Sequence, residues 1–279
     1  MASSFDEMSN VPVSIRERLD REFALPGVEP LRRQSSEDGA TEKVLLRLAD
    51  GETIETVLMD TGGRQTVCVS TQVGCAIGCS FCATGLQGWT RNLTAGEIME
   101  QVLFFARSLR AQGRGITNIV YMGMGEPFLN EAAVLASIAR CNDPQGLNLG
   151  ARRITISTAG VVPGIRRLAD SGSPVGLAVS LHAPSDDLRS RLMPITQRYP
   201  LGDLLGACRY YADRTHRRVS FEYALLAGIN DALSQADALA DRLRGLLCHV
   251  NLIPANAVPD LGYEPSPQAR MLAFQRRLQ

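Results

Sequence analysis

The sequence predicts an α/β protein, an open partial (β/α)6 barrel with a small N-terminal appendage of one helix and a β-hairpin. Three observations predict it. From residue 65 onward, short β-branched apolar runs alternate six times with helical patterns, the rhythm of parallel strands covered by helices. Six units fall short of the eight that close a (β/α)8 barrel. The residues able to do chemistry fall just after the strands, at the carboxyl ends where such sheets place their working face.

The elements follow in order. Val13, Ile15, Leu19 and Phe23 stand at helical spacing in a first helix reaching about Leu25. The polar stretch from Arg32 to Thr41 is expected to be a loop. KVLLRLAD and TIETVLMD flank Asp50-Gly51 as a hairpin. QTVCVST, residues 65–71, is the first barrel strand, and a cysteine-rich loop follows it. Thr94 and Glu97 form a capping box for a helix reaching about Ala111. Strands are then expected at 116–123, 152–158, 174–182, 218–226 and 248–254. Helices fit near 130–141, from Pro163, over 201–215 behind Pro200, over 233–246, and from about Ser266 onward. The chain divides into residues 1–60, the appendage, and 61–279, the core.

With 279 residues, 45% of them apolar, the chain has material for a sizeable core. No apolar run is long enough to span a bilayer and no signal pattern opens the chain, so a cytoplasmic protein with no membrane partner is expected. Seven cysteines, an odd count with four clustered, do not look like a disulfide set. Lys43 is the sole lysine; every other basic residue is arginine. Zero net formal charge argues against a wholly basic nucleic-acid coat. The pairs Arg152–Arg153, Arg166–Arg167 and Arg217–Arg218 read first as solvated ends of elements.

The informative motif is GCAIGCSFCATG, in which Cys75, Cys79 and Cys82 have the spacing C-x3-C-x2-C. Three thiolates this close can share a soft metal centre. Three ligands leave one iron of a 4Fe-4S cubane without a protein ligand, and an open position is a place for chemistry. The alternative is a structural zinc site of Cys68, Cys75, Cys79 and Cys82. An open iron can chelate an amino and a carboxylate group, and S-adenosylmethionine carries both. GMGEP, residues 123–127, fits an amine-binding edge: its glycines permit close approach and Glu126 accepts from an ammonium. Ser157, Ser180, His182 and Asn256 also sit at strand ends, where each alone is more often structural.

Several segments together resemble the RlmN/Cfr family of radical S-adenosylmethionine RNA adenine methyltransferases, in its RlmN-like branch. They are CVSTQVGCAIGCSFCATGLQGWTRNLTAGEI, YMGMGEPFLN, RRITISTAGVVPGI, VSLHAP with RLMPI, FEYALLAGIND and CHVNLIPAN. The resemblance implies a radical SAM barrel and methylation of adenine C2 in 23S rRNA, and in some tRNAs, with an external electron donor such as flavodoxin. It implies that Cys75, Cys79 and Cys82 hold the 4Fe-4S cluster. Gly125, Glu126, Ser157, Ser180, Leu181, His182 and Asn256 would line S-adenosylmethionine. Glu55 matches the family's proton acceptor and Cys68 a catalytic cysteine that resolves a protein–RNA thioether.

The family's methyl-carrying cysteine follows the final strand, in a tail that this sequence does not show. Cys141, Cys208 and Cys248 fall in helix or strand contexts and do not match it. The expectation is a chain shortened at both ends that cleaves S-adenosylmethionine without methylating RNA. The non-catalytic alternative is an RNA- or ribosome-binding remnant of the fold.

Overall fold

A computed structural model describes residues 4–23, 27–256 and 261–279. Six parallel strands form the barrel wall: β4 (Arg64–Cys68), β7 (Asn118–Tyr121), β8 (Ile154–Thr158), β9 (Gly176–Ser180), β10 (Val219–Leu225) and β11 (Cys248–Pro254). Covering them are α3 (Ala95–Ala111), α4 (Glu131–Asn142), α5 (Val162–Asp170), α6 (Asp186–Leu192), α7 (Leu201–Thr215), α8 (Leu233–Leu243) and α9 (Gln268–Leu278). The partial (β/α)6 architecture is therefore the one expected.

The sheet extends beyond β4. Three antiparallel strands, β1 (Glu29–Ser35), β2 (Thr41–Arg47) and β3 (Thr53–Thr61), continue it to nine in the order β1-β2-β3-β4-β7-β8-β9-β10-β11. β3 pairs with β4 in the register Val57↔Cys68, so residues 1–60 and the core share one sheet. The expectation of a loop over Arg32 to Thr41 is corrected here: β1 takes Arg32 to Ser35 and β2 begins at Thr41, leaving only residues 36–40 as the connection. Every residue of β1 is exposed, so no buried face imposes a period of two, which is the signal that marks a strand in sequence. The backbone ladder to β2 holds it, with Arg33–Glu42 and Arg47–Glu29 ion pairs across the strands. The first helix, α1 (Val13–Glu22), forms where its pattern places it, yet buries none of its residues. Leu25, the end expected for it, lies outside the described residues.

Burial along the strands sorts by side. In β8 and β10 buried and half-buried residues alternate. Ile154, Ile156, Phe221 and Tyr223 join the core cluster with helix residues such as Leu168, Leu204 and Tyr211; full burial of each such side chain is worth about 1.5–3 kcal/mol. The alternate positions, Ser157, Ser220 and Glu222, are small or polar and only half-buried, so the inner face of this open barrel is polar where a closed barrel packs branched apolar residues. Among the described residues no helix is long and apolar enough to cross a membrane.

The capping box holds as read: Thr94 Oγ1 accepts from Glu97 N–H and the Glu97 carboxylate accepts from Thr94 N–H. Arg91 bonds that same carboxylate and Asp50 in the β2–β3 turn, tying the extension to the start of α3.

Candidate active site

The chain between β4 and α3 builds the mouth of the barrel. After β4 it enters β5 (Gln72–Gly74), runs through the cysteine loop into the short α2 (Ala83–Leu86), and returns as β6 (Trp89–Asn92), which pairs with β5. This small two-stranded sheet closes both ends of the cysteine loop. Ser80 then ties the loop to α6, its N–H donating to the Leu192 carbonyl at 2.9 Å.

Cys75, Cys79 and Cys82 line a cavity of about 180 Å³ together with Gly125, Glu126, Ser157, Ser180 and His182. Eight of the ten sequence-predicted cluster and cofactor residues thus meet in one place, although more than a hundred positions separate Cys75 from His182. The other two, Leu181 and Asn256, do not line it. Leu181 is buried, its carbonyl accepting from Arg189 Nε at 3.1 Å. Asn256 is exposed just beyond β11, where residues 257–260 are not described.

The glycines of GMGEP are there because β4's continuation runs against them. A Cβ on Gly123 would lie 2.7 Å from Ser70 Oγ, and one on Gly125, at φ +100, 2.6 Å from Gln72 Cβ. Gln72 then accepts from Glu126 N–H at 2.8 Å. The Glu126 carboxylate accepts from Phe128 N–H at 3.1 Å and from Ala159 N–H at 2.6 Å. Burial nonetheless pushes its carboxyl up to about 7, outweighing those bonds. A cationic partner in the cavity would restore full ionisation.

His182 closes the far side. Its backbone is left-handed, φ 55, and Asn230 Nδ2 holds its carbonyl at 2.8 Å. Its Nδ1 accepts from Ala224 N–H at 2.9 Å, so the neutral ring carries its proton on Nε2. Burial, reinforced by the Arg189 charge, pushes the imidazole down to about 3. Phe81 stands edge-on to it, centroids 4.8 Å apart.

Burial raises the Cys75 thiol, with Glu126 and Cys82 adding to the shift, and pushes Cys79 up to about 12, with Cys82 and Cys75 adding to it. Such thiols ionise together only around positive charge, which the irons of a cluster supply. Three thiols line the cavity and Cys68 does not, so the donor set has the three ligands of the 4Fe-4S reading and lacks the fourth of the zinc alternative.

Cys68 stands apart, at the end of β4 and outside the cavity lining. It is 9% exposed, and burial pushes its thiol up to about 12. Glu55 lies on β3 beside the same strand end, where its carbonyl accepts from Ser70 Oγ at 2.6 Å. Its half-exposed carboxylate pairs with Lys43, the sole lysine, at 2.9 Å.

Residues 69–238 match the model of the radical SAM superfamily. Over 276 residues, 99% of this chain, the sequence is 48% identical to a Bacillus subtilis (strain 168) protein named "Probable dual-specificity RNA methyltransferase RlmN", of which it covers 76%. A Moorella thermoacetica protein of the same name is 51% identical, with 100% of this chain and 80% of that protein aligned.

The chain belongs to the RlmN family of radical SAM RNA methyltransferases.

The structural comparison agrees. A radical SAM methyltransferase from Sphaerobacter thermophilus superposes with a TM-score of 0.97 at 52% identity, covering 99% of this chain and 81% of that one. TYW1 with a lysine-pyruvate adduct bound, at TM-score 0.55 and 16% identity, shares the fold alone. In this RlmN-family chain, sequence reasoning did not single out Gln72, Met193 or Arg189. Gln72 is a side-chain brace, Met193 lines the cavity and Arg189 lies beneath it. An arginine midway through a polar helix gives no sequence signal of burial.

Proposed function

We propose that this chain binds a 4Fe-4S cluster through Cys75, Cys79 and Cys82, binds S-adenosylmethionine beside it, and serves methylation of adenine C2 in 23S rRNA, and in some tRNAs, in the cytoplasm. The observation that carries this reading is the single cavity that three thiols share with Glu126, Ser157, Ser180 and His182. When bound, the cluster supplies one electron, from a donor such as flavodoxin, to cleave the sulfonium of S-adenosylmethionine and release a deoxyadenosyl radical. The chain's residues do the rest. Glu126 accepts hydrogen bonds from the ligand's ammonium, and Gly125 lets that ammonium approach the backbone. Ser157 and Ser180 offer hydroxyls, and His182 presents Nε2–H as a donor without adding charge. Leu181 shapes this wall through its backbone, and Asn256 reaches the ligand from the rim.

Adenine C2 is electron-poor and has no lone pair to attack a sulfonium, which is why a radical route suits it. Cys68 would resolve the protein–RNA adduct and Glu55 would take the C2 proton. For Cys68 this requires the strand end to open, because a thiolate is the nucleophile and burial now disfavours it. The chemistry also needs a sulfur that carries the methyl group. Cys141 and Cys208 are fully buried in helices, and Cys248 begins β11 at the end remote from the cavity mouth.

The test is anaerobic reconstitution of the 279-residue chain with iron, sulfide and labelled S-adenosylmethionine. Deoxyadenosine release is expected. An iron-loaded protein that releases no deoxyadenosine overturns radical generation, and C2-methyladenosine would show a methyl carrier within these residues. Binding of an rRNA fragment should weaken once its adenine already bears a C2 methyl; equal binding of the two counts against adenine as the target.

A further inference from the structure

Arg189 is an arginine with 0% exposure. It sits in the middle of α6, and its hydrogen bonds end on three backbone carbonyls and one hydroxyl, with no carboxylate among them. Nε donates to Leu181 O at 3.1 Å, Nη1 to Thr196 Oγ1 at 2.9 Å, and Nη2 to Ala159 O at 2.6 Å and Ser180 O at 2.9 Å. A buried cation without an anionic partner costs several kcal/mol, and burial does lower this guanidinium, to about 10. The ionisable groups facing it are Cys79, Asp186, Cys208 and the neutral His182, none of them an anion bonded to it. Asp186 is engaged elsewhere, accepting from Leu201 N–H at 2.7 Å.

The position of this charge is informative. Ala159 and Ser180, whose carbonyls it holds, line the cysteine cavity. Ala159 also donates to Glu126, so one residue joins the arginine to the carboxylate. The cysteine loop is bonded to the end of the same helix through Ser80 and Leu192. Cys79 and Phe81 pack on the apolar patch that contains Leu188, Leu192 and Met193. A cubane bound by three thiolates is net negative and becomes more so on reduction. Nearby charge is one of the levers that set the potential of such a cluster.

We propose that Arg189 is a positioning residue whose buried charge offsets the negative charge of the three-thiolate cluster and makes its one-electron reduction easier, while its planar fork holds the ends of β8 and β9 that frame the site. The proposal rests on the cluster reading given above. The step is simple: a low-potential one-electron donor is oxidised, the cluster is reduced by one electron, and the arginine keeps its proton throughout. Lysine would keep the charge but not the four divergent bonds.

The experiment is an EPR-monitored redox titration with dithionite on the reconstituted full chain, comparing wild type with R189K and R189Q. R189K should reduce at nearly the wild-type potential. R189Q should be at least tenfold harder to reduce, a shift of about 59 mV for one electron. An R189Q that reduces as readily as wild type overturns the proposal, as does an R189K that shifts as far as R189Q. Thermal melting of the same proteins separates charge from scaffolding: R189Q should lose less stability cluster-free than cluster-loaded. Equal losses, or a cluster-free R189Q that does not fold, overturn it in favour of a purely structural arginine. A folded R189Q that takes up no iron while R189K does supports it. Wild-type chain that takes up no iron ends the cluster reading itself, and this inference with it.

Discussion

At the scale of single residues, environment decides which of seven cysteines can act. Cys141 and Cys208 have no exposed surface and serve as core. Cys68 shares the motif's neighbourhood in sequence, yet its strand end lies outside the cavity that the other three line. Cys68→Ala should therefore keep a full complement of iron, whereas Cys75→Ala, Cys79→Ala or Cys82→Ala should lose most of it; iron and sulfide assays after anaerobic loading check this. Loss of iron from Cys68→Ala to the level of the other three would return the four-cysteine zinc arrangement to contention. His182 carries a second prediction. Its imidazole takes a proton near pH 6.5 in the unfolded chain but only near 3 in the fold. Protons thus favour the unfolded state as pH drops through that window, and the stability present above pH 6.5 is progressively lost below it. His182→Asn, which tolerates the left-handed backbone, should flatten the fall in melting temperature between pH 7 and pH 5. An unchanged slope would assign that acid sensitivity to other groups.

At the scale of elements, the site depends on how closely β4's continuation approaches the loop after β7. Ser70 Oγ accepts from Met124 N–H at 2.9 Å, and Gln72 holds Glu126 by its backbone. Gly125→Ala forces a side chain into a φ of +100 against Gln72. A cost of about 2 kcal/mol is expected from the strained backbone alone, measured by urea denaturation of cluster-free protein, and a cost indistinguishable from zero would mean that the loop relaxes freely. Elements with an apolar face were legible in the sequence. The span of α3 was bounded by the Thr94–Glu97 box at one end, and the strands of the barrel by their β-branched runs. Among those that were not are β1, α6 and β6. β1 is wholly exposed, β6 is four residues long with one half-buried side chain, and α6 buries Arg189 in place of an apolar residue. β1 and β6 present no apolar periodicity, and in α6 it is limited to Leu188 and Leu192, too short a run for sequence reading to use.

At the scale of the whole molecule, the open barrel leaves room at one mouth for the cofactor and substrate proposed to meet there. The inner faces of β8 and β10 carry serine and glutamate where a closed barrel is packed apolar, leaving polar space above the strand ends. Because the cysteines and the groups proposed to hold S-adenosylmethionine border the same cavity, the two ligands should be thermodynamically linked. S-adenosylmethionine at about a hundred times its Kd should stabilise cluster-loaded protein by about 2.7 kcal/mol and cluster-free protein far less. Equal thermal shifts in the two forms would place its site away from the cysteines.

The sequence by itself determined the chemistry: a three-cysteine spacing, a glycine-flanked carboxylate, and hydroxyls and an imidazole at strand ends, in six βα units. These are local patterns, and local patterns are set by covalent spacing and by the periods of helix and strand. Only the tertiary structure decided which of these groups meet. It drew Cys75, Glu126, Ser157 and His182 to one cavity, left Cys68 beside it with its thiol protonated, and left Asn256 exposed at the rim. It also put Arg189, which the sequence presents as one more polar helix residue, beneath that cavity without a carboxylate partner. Burial and long-range hydrogen bonding fix such charges, and neither is written in the spacing of the residues that carry them.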